Sequence, residues 1–502
     1  MGILENVYMG FQICLQPSNL LYCFLGCLIG TLVGVLPGIG PIGAMALLLP
    51  TTFYVPPVSA IIMYAGVYYG AMYGGSTTSI LVNIPGEAAS VVTCLDGYQM
   101  ARQGRAGPAL GIAAFGSFIA GTFSVVGLMI LTIPLAEFAL KFGPPEYFSL
   151  MCLGLFFLTF LSRGSKLKAL LSGVIGIFLG TIGMDSISGE LRFTMGLLDL
   201  VNGIPIISLA VGFFGVSEIL INLEKTVEQD VFVKKVHSLF PTVQDWIASI
   251  WAILRGSIIG FFLGILPGGG GILASFVSYA VEKKVSKHPE KFGTGAIEGV
   301  AGPESANNSA TGGSMIPLFA LGIPPNAVIA LLFSAFLIHG IRPGPLTITQ
   351  HPELFWGPVT SMYVGNVMLL ILNLPLIGIW VQLLRVPYRL LFPMILLFAI
   401  VGTYAVNNEV GDVFVMLFFG ICGYISRKFG YEGAPLIMGF ILSRLLEDSL
   451  RQSLMLSNGS LLIFFNHPIS LVFLIVVAVL IVLSVIPSMR KIGSVVDRLE
   501  RE

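Results

Sequence analysis

The chain has 502 residues, 55% hydrophobic and only 10% charged, with 26 basic residues against 26 acidic ones and a mean hydropathy of +0.92. So few polar side chains cannot coat a soluble globule of this size, and a net charge of zero leaves no electrostatic footprint for nucleic acid. The composition is that of a polytopic membrane protein.

The first 16 residues contain no Lys or Arg, so no positive n-region of a cleavable signal peptide is visible. The first interruption of the apolar pattern is GVLPGIGPIG (residues 34–43), which holds a literal G-x-G-x-x-G at Gly38, Gly40 and Gly43. A dinucleotide loop needs a preceding strand, a following helix and an acidic residue about 20 positions on. Here the glycines lie inside an apolar run from 20 to 50, and no acidic residue follows before Glu87. The motif reads instead as a helix break: Pro37 removes a backbone donor, and Gly38 and Gly40 tolerate non-helical dihedrals, so the helix restarts near Pro41. The break lies either at membrane depth, where protein or a water-filled cavity must satisfy the freed groups, or in a tight turn at the membrane surface.

The next feature is YYGAMYGGSTTSILVNIPGE (68–87), which sets Ser76, Thr77, Thr78 and Asn83 between apolar flanks and then breaks at Pro85 and Gly86. Beyond it, basic loops alternate with loops poor in Lys and Arg. The basic ones fall at 102–105, 163–168, 225–235, 283–291, 385–389, 427–428 and from 490 to the end. The poor ones fall at 51–57, 185–199, 341–353, 407–412 and 447–460. The positive-inside rule puts the first set in the cytoplasm and the second outside, with an external N-terminus, an internal C-terminus and about 11 to 13 membrane segments at ~20 residues per span.

A second copy of the pattern begins 230 residues on. GILPGGGGI (264–272) matches GVLPGIGPI, with helix breaks expected at Pro267, Gly268 and Gly270. Gly74-Gly75-Ser76 is paralleled by Gly312-Gly313-Ser314, and Ile84-Pro85 by Ile323-Pro324, a further break. Equivalent loops differ in charge: 51–57 is uncharged, whereas its counterpart 282–291 carries four lysines. The halves are therefore read as inverted-topology repeats: 1–221, a cytoplasmic linker 222–246, 247–456, and an extra C-terminal helix with its tail at 457–502. The fold class expected is an all-α polytopic membrane protein with broken or re-entrant helices, an architecture common among secondary transporters with sites near the midplane.

In the second half the polar run is EGVAGPESANNSATGGSMIPLFALGIPPN (298–326), with Ser305, Asn307, Asn308, Ser309, Thr311 and Ser314. Neither run can face lipid, because each unsatisfied polar group in hydrocarbon costs several kcal/mol. Hydroxyls, amides and bare helix ends can bind a carboxylate without adding charge, while close helix packing is the competing use of the small residues. Glu87, Glu298 and Glu304 are the ion-coupling candidates, since ionisable residues at membrane depth are costly and usually functional. The six cysteines form no metal-ligand pattern and read as small buried hydrophobes; no cofactor or metal is expected beyond a coupling cation, Na⁺ or H⁺. The five histidines lie in predicted loops or at span ends, and neither H-E-x-x-H nor G-x-S-x-G occurs, so no enzyme is expected.

These segments, with LDGYQMARQGRAGPALGIAAFGSFIAG (95–121), resemble the large membrane subunit of the tripartite tricarboxylate transporters, the TctA-type family. The resemblance covers nearly the whole chain and is most specific at 298–325. It implies a bacterial inner-membrane secondary transporter that takes up citrate or other di- and tricarboxylates on an ion gradient. Its implied partners are a small four-span membrane subunit and a periplasmic solute-binding protein. A passive anion channel, or a single-component carrier for another organic anion, is the alternative reading.

Overall fold

The computed structural model describes residues 2–36, 40–161, 165–185, 187–224, 239–268, 270–383 and 388–485. Among them β-structure is confined to one antiparallel pair, Gly183–Met184 with Leu191–Arg192. Six described helices are long and apolar enough to cross a membrane: Pro17–Val35, Ala106–Ala139, Ile206–Glu224, Val243–Ile265, Pro352–Asn373 and Val410–Lys428. Five shorter apolar helices accompany them, among them Gly40–Thr52, Ala327–Ile338 and Pro468–Val482. The chain is thus an all-α polytopic membrane protein.

Its outside is greasier than a soluble protein permits. Trp251, Leu254, Ile258 and Phe262 are exposed at helical spacing, as are Phe414, Phe418, Ile421 and Ile425, and Val472, Ile475, Val479 and Val482. Contiguous apolar stripes of this kind face lipid or another membrane protein. The polar helices sit inside: Pro57–Val82 and Glu298–Leu321 are buried at every residue from 59 to 81 and from 299 to 320.

Small residues allow those two helices to be wrapped so closely. Gly26, Gly30 and Gly34 lie against the backbone of Met63, Val67 and Ala71, and in return Gly66, Gly70 and Gly74 lie against Cys23, Cys27 and Thr31. In the second half Gly256, Gly260 and Gly264 lie in the same way on Gly302, Ala306 and Ala310. Backbone-to-backbone approach at four-residue spacing is how helices associate where lipid removes the hydrophobic drive.

The local geometry of the two halves repeats beyond this pairing. Pro57–Val82 ends on Asn83 in the left-handed region (φ 58°), and Glu298–Leu321 ends on Gly322 in the same conformation (φ 68°). Each is followed by Ile-Pro and an extended residue that caps the next turn: Glu87 accepts from Ala89 N (2.6 Å), and Asn326 accepts from Ile329 N (3.0 Å).

The loops also sort into two groups. Of the loops rich in Lys and Arg, Gln103 bonds Thr294 O (2.7 Å), Lys168 bonds Phe429 O (2.5 Å), Lys428 pairs with Glu224 (2.6 Å), and Arg105 pairs with Asp245. Of the poor loops, Arg192 pairs with Glu447 (2.7 Å), Arg451 with Asp185 (2.7 Å), and the Tyr54 hydroxyl bonds Ala405 O. Loops that share a charge class meet each other, as two faces of a membrane protein require.

Candidate functional site

The two polar helices meet at Glu304. It lies in the second turn of Glu298–Leu321 with no exposed surface, and its Oε2 accepts from Ser76 Oγ of the first half at 2.5 Å and from Asn307 Nδ2 at 3.4 Å. Its Oε1 accepts from the hydroxyl of Thr93, on the helix Val91–Arg102. No Lys, Arg or His among the described residues pairs with it. A carboxylate buried in this way among neutral donors must be balanced by a proton or by a small cation, because an uncompensated charge costs several kcal/mol.

Four helix ends surround this contact. Gly86 is wedged between Gly34 O and Gly75, where a Cβ would lie 2.7 Å from Gly75 Cα. The Thr78 hydroxyl reaches across to Val35 O (2.8 Å), the last residue of Pro17–Val35. In the second half Gly268 N donates to Pro325 O (2.7 Å), tying one helix break to the other. Gly271 then stands next to both Asn307 and Ala89, where a Cβ would be 3.5 Å from Ala89 Cβ and 3.6 Å from Asn307 O. Breaks that lie far apart in the sequence are therefore neighbours in space, with Glu304 and Asn307 beside them.

The other expected residues have more local partners. Asn308 bonds Ser117 Oγ (2.7 Å) and Glu304 O (3.0 Å), and Ser309 bonds Ser257 O (2.7 Å). Thr311 and Ser314 return their hydroxyls to carbonyls three residues earlier in the same helix. Among these expected residues, Asn307 Oδ1 and Ser305 Oγ are buried with no partner among the described residues. Thr77 is buried on the first polar helix, Pro85 follows its left-handed end, and Pro324 forms the matching break. Glu87 caps the 88–90 turn, and Glu298 stands half-buried in the first turn of its helix.

Gly40 and Gly270 open the helices Gly40–Thr52 and Gly270–Val285 with positive φ (63° and 51°), and Pro267 lies in the turn that precedes the second. Pro37 and Gly38 lie outside the described residues. No group of three or more His, Cys, Asp or Glu among the described residues could hold a metal ion.

Sequence reasoning missed Thr93, Ser117 and Asp96. Asp96 is fully buried: Oδ1 accepts from the backbone N–H groups of Gly293, Gly295 and Ala296, each at 2.8 Å, and Oδ2 accepts from Tyr279 Oη (2.9 Å). It fastens the first half to the loop that precedes the second polar helix. The one available signal was an acid within a largely apolar helix.

Buried polar helices, paired breaks and a lipid-facing exterior define a multi-pass membrane protein with an internal polar site. Residues 20–438 match the Tripartite tricarboxylate transporter TctA family, and the chain belongs to that family. Two relatives come from Agrobacterium vitis. The "Uncharacterized 52.8 kDa protein in TAR-I ttuC' 3'region" is 51% identical over 490 residues, covering 98% of both chains. The "Uncharacterized protein in TAR-II ttuC' 3'region" is 52% identical over 231 residues, covering 46% of this chain and 96% of its own. No solved structure matches.

Proposed function

We propose that this membrane subunit of a tripartite tricarboxylate transporter carries out ion-gradient-driven uptake of a di- or tricarboxylate, citrate-like in character. The substrate site lies where the four helix ends meet. The observation that carries this reading is the junction at Glu304: polar runs from both halves converge there, with Asn307 Oδ1 and Ser305 Oγ buried and unsatisfied beside it. Side-chain donors such as Ser76, Asn307 and Asn308 bind the anion without adding fixed charge, and Glu304 meets the coupling cation, H⁺ or Na⁺. The chain supplies transport rather than catalysis, and needs no other cofactor.

Three features support the architecture behind this. The halves share their glycine-packed helix pairs and their capped breaks, the loops sort into two charge classes, and equivalent loops differ in charge. We read these as inverted repeats, 1–221 and 247–456, with the basic face in the cytoplasm of a bacterial cell, the N-terminus periplasmic and the C-terminus cytoplasmic. The linker 222–246 falls largely on 225–238, outside the described residues. A small four-span membrane subunit and a periplasmic binding protein complete the system.

Asn307→Ala tests the site. The variant should insert and purify as the wild type does yet take up labelled carboxylate at least tenfold more slowly in proteoliposomes. Uptake at the wild-type rate would move the site elsewhere.

A further inference from the structure

A wide cleft lies away from the Glu304 junction, on the face formed by the loops poor in Lys and Arg. It encloses about 1360 Å³ between the 181–206 loop, the 340–346 loop and the helix Gly433–Leu456. Its charged lining is Asp185, Arg192, Glu447, Arg342 and Arg444. The first three neutralise one another with help from Arg451: Arg192 pairs with Glu447 at 2.7 Å and with Asp185 at 3.3 Å, and Arg451 pairs with Asp185 at 2.7 Å.

Arg342 and Arg444 are different. Both are exposed, and neither has an acidic partner among the described residues. Asp448, one turn beyond Arg444, acts on Arg192. The cleft is therefore left with two guanidinium groups whose donors are unspent, and guanidinium is the side chain best suited to carboxylate.

The position of the cleft matters as much as its charge. Gly322 and Ile323, which end the second polar helix, form part of its lining. The wall that carries Arg342 is pressed directly on that end: a Cβ on Gly322 would strike Pro343 O and lie 3.5 Å from Gly344 Cα. Three residues beyond Ile323 the chain reaches Asn326, which caps the helix after the break. The cleft thus opens on one side to water, and its inner wall is the end of the helix that carries the proposed transport site, with Gly322 18 residues, or about 27 Å, along it from Glu304.

We propose that this cleft is an outer vestibule for the carboxylate substrate, in which Arg342 and Arg444 capture the anion before it passes the Gly322–Ile323 end to the junction. The inference rests on the transport reading given above. Positive charge on concave, low-dielectric walls concentrates an anion and raises its rate of arrival, an effect that salt weakens.

The test is uptake kinetics in proteoliposomes with the full system, with labelled citrate and succinate as probes, for Arg342→Gln, Arg444→Gln and the double variant. The single variants should raise KM several-fold and the double variant about tenfold or more, with a smaller fall in maximal rate. In the double variant the salt dependence of KM should flatten, and the Lys variants should recover most of the loss. A wild-type KM and salt dependence in the double variant would overturn the proposal.

Two other results would also overturn it. If the affinity of the substrate-free binding protein for the vesicles falls in proportion to the KM change, the arginines dock that protein. If the difference from wild type vanishes in vesicles of phosphatidylcholine without phosphatidylglycerol, the cleft holds a lipid phosphate. Absence of uptake by the wild type for every carboxylate would refute the transport reading itself, a separate outcome.

Discussion

Replacing Glu304 by Gln keeps the side chain's shape and one carbonyl acceptor but removes its charge and its exchangeable proton. The Ser76 and Thr93 hydroxyls that donate to the carboxylate can turn and accept from an amide, and Asn307 can present its unpartnered Oδ1 in place of its amide nitrogen. A hydrogen bond to a charged group contributes about 1.5–3 kcal/mol and one between neutral groups about 0.5–1.5. The two hydroxyl bonds therefore lose about 2–3 kcal/mol together, and folding should survive. The coupling cation loses its carboxylate. In proteoliposomes the variant should still equilibrate labelled carboxylate, or exchange it across the membrane, but should not accumulate it against a gradient. Detergent thermal unfolding supplies the control. Gradient-driven accumulation at the wild-type level would refute the assignment of Glu304 as the coupling group.

Other predictions concern the scaffold. Asp96→Ala leaves three backbone N–H groups without their acceptor and should destabilise the protein by about 3 kcal/mol or more, read as a fall in the midpoint of thermal unfolding; Asp96→Asn, which can still accept from them, should cost less. In Gly70→Ala the new Cβ would lie 2.6 Å from Cys27 O and 2.7 Å from Thr31 N, so the helices Pro17–Val35 and Pro57–Val82 must part, at a cost of about 1–3 kcal/mol in the same assay. At the cleft, backbone N–H groups of Ser188 and Ile187 and then Arg451 hold the Asp185 carboxyl below its ordinary value of 3.8. A depressed carboxyl stabilises the fold above its unfolded value, so the 182–203 loop should keep its amide protection at pH 5 and lose it progressively once the pH falls below about 3.8. Hydrogen exchange at corrected intrinsic rates reads this, and protection independent of pH would count against the network.

Much of the fold was legible because membrane burial imposes simple arithmetic. Apolar length gave the spans, and Pro-Gly pairs gave the breaks after Val35 and Ile265. The alternation of Lys and Arg separated the loops that now meet as two groups. The polar runs were legible for the reverse reason: Ser76 to Leu81 and Ser305 to Ser314 cannot face lipid and both are enclosed, whereas Asn83, at the end of the first run, is exposed. Which residue joins them was not legible. The Glu304 partners Ser76 and Thr93 are more than 200 positions away, and although Asp96 stands out as the one acid in Val91–Arg102, nothing in that pattern marks Thr93, or shows that either side chain turns toward the other half. The cleft escaped notice for a similar reason. Arg342 and Arg444 look like ordinary loop and helix-surface charges until the structure shows which acids are already taken by Arg192 and Arg451.

The most direct test of the account is uptake of a labelled carboxylate panel, citrate first, into proteoliposomes holding this chain and its small membrane partner. The cognate binding protein and an imposed Na⁺ or H⁺ gradient are each supplied or withheld. The account predicts accumulation above the external concentration that requires both the gradient and the binding protein. Uptake that only equilibrates whatever gradient is imposed would contradict it and point to a passive anion pathway through the same polar helices.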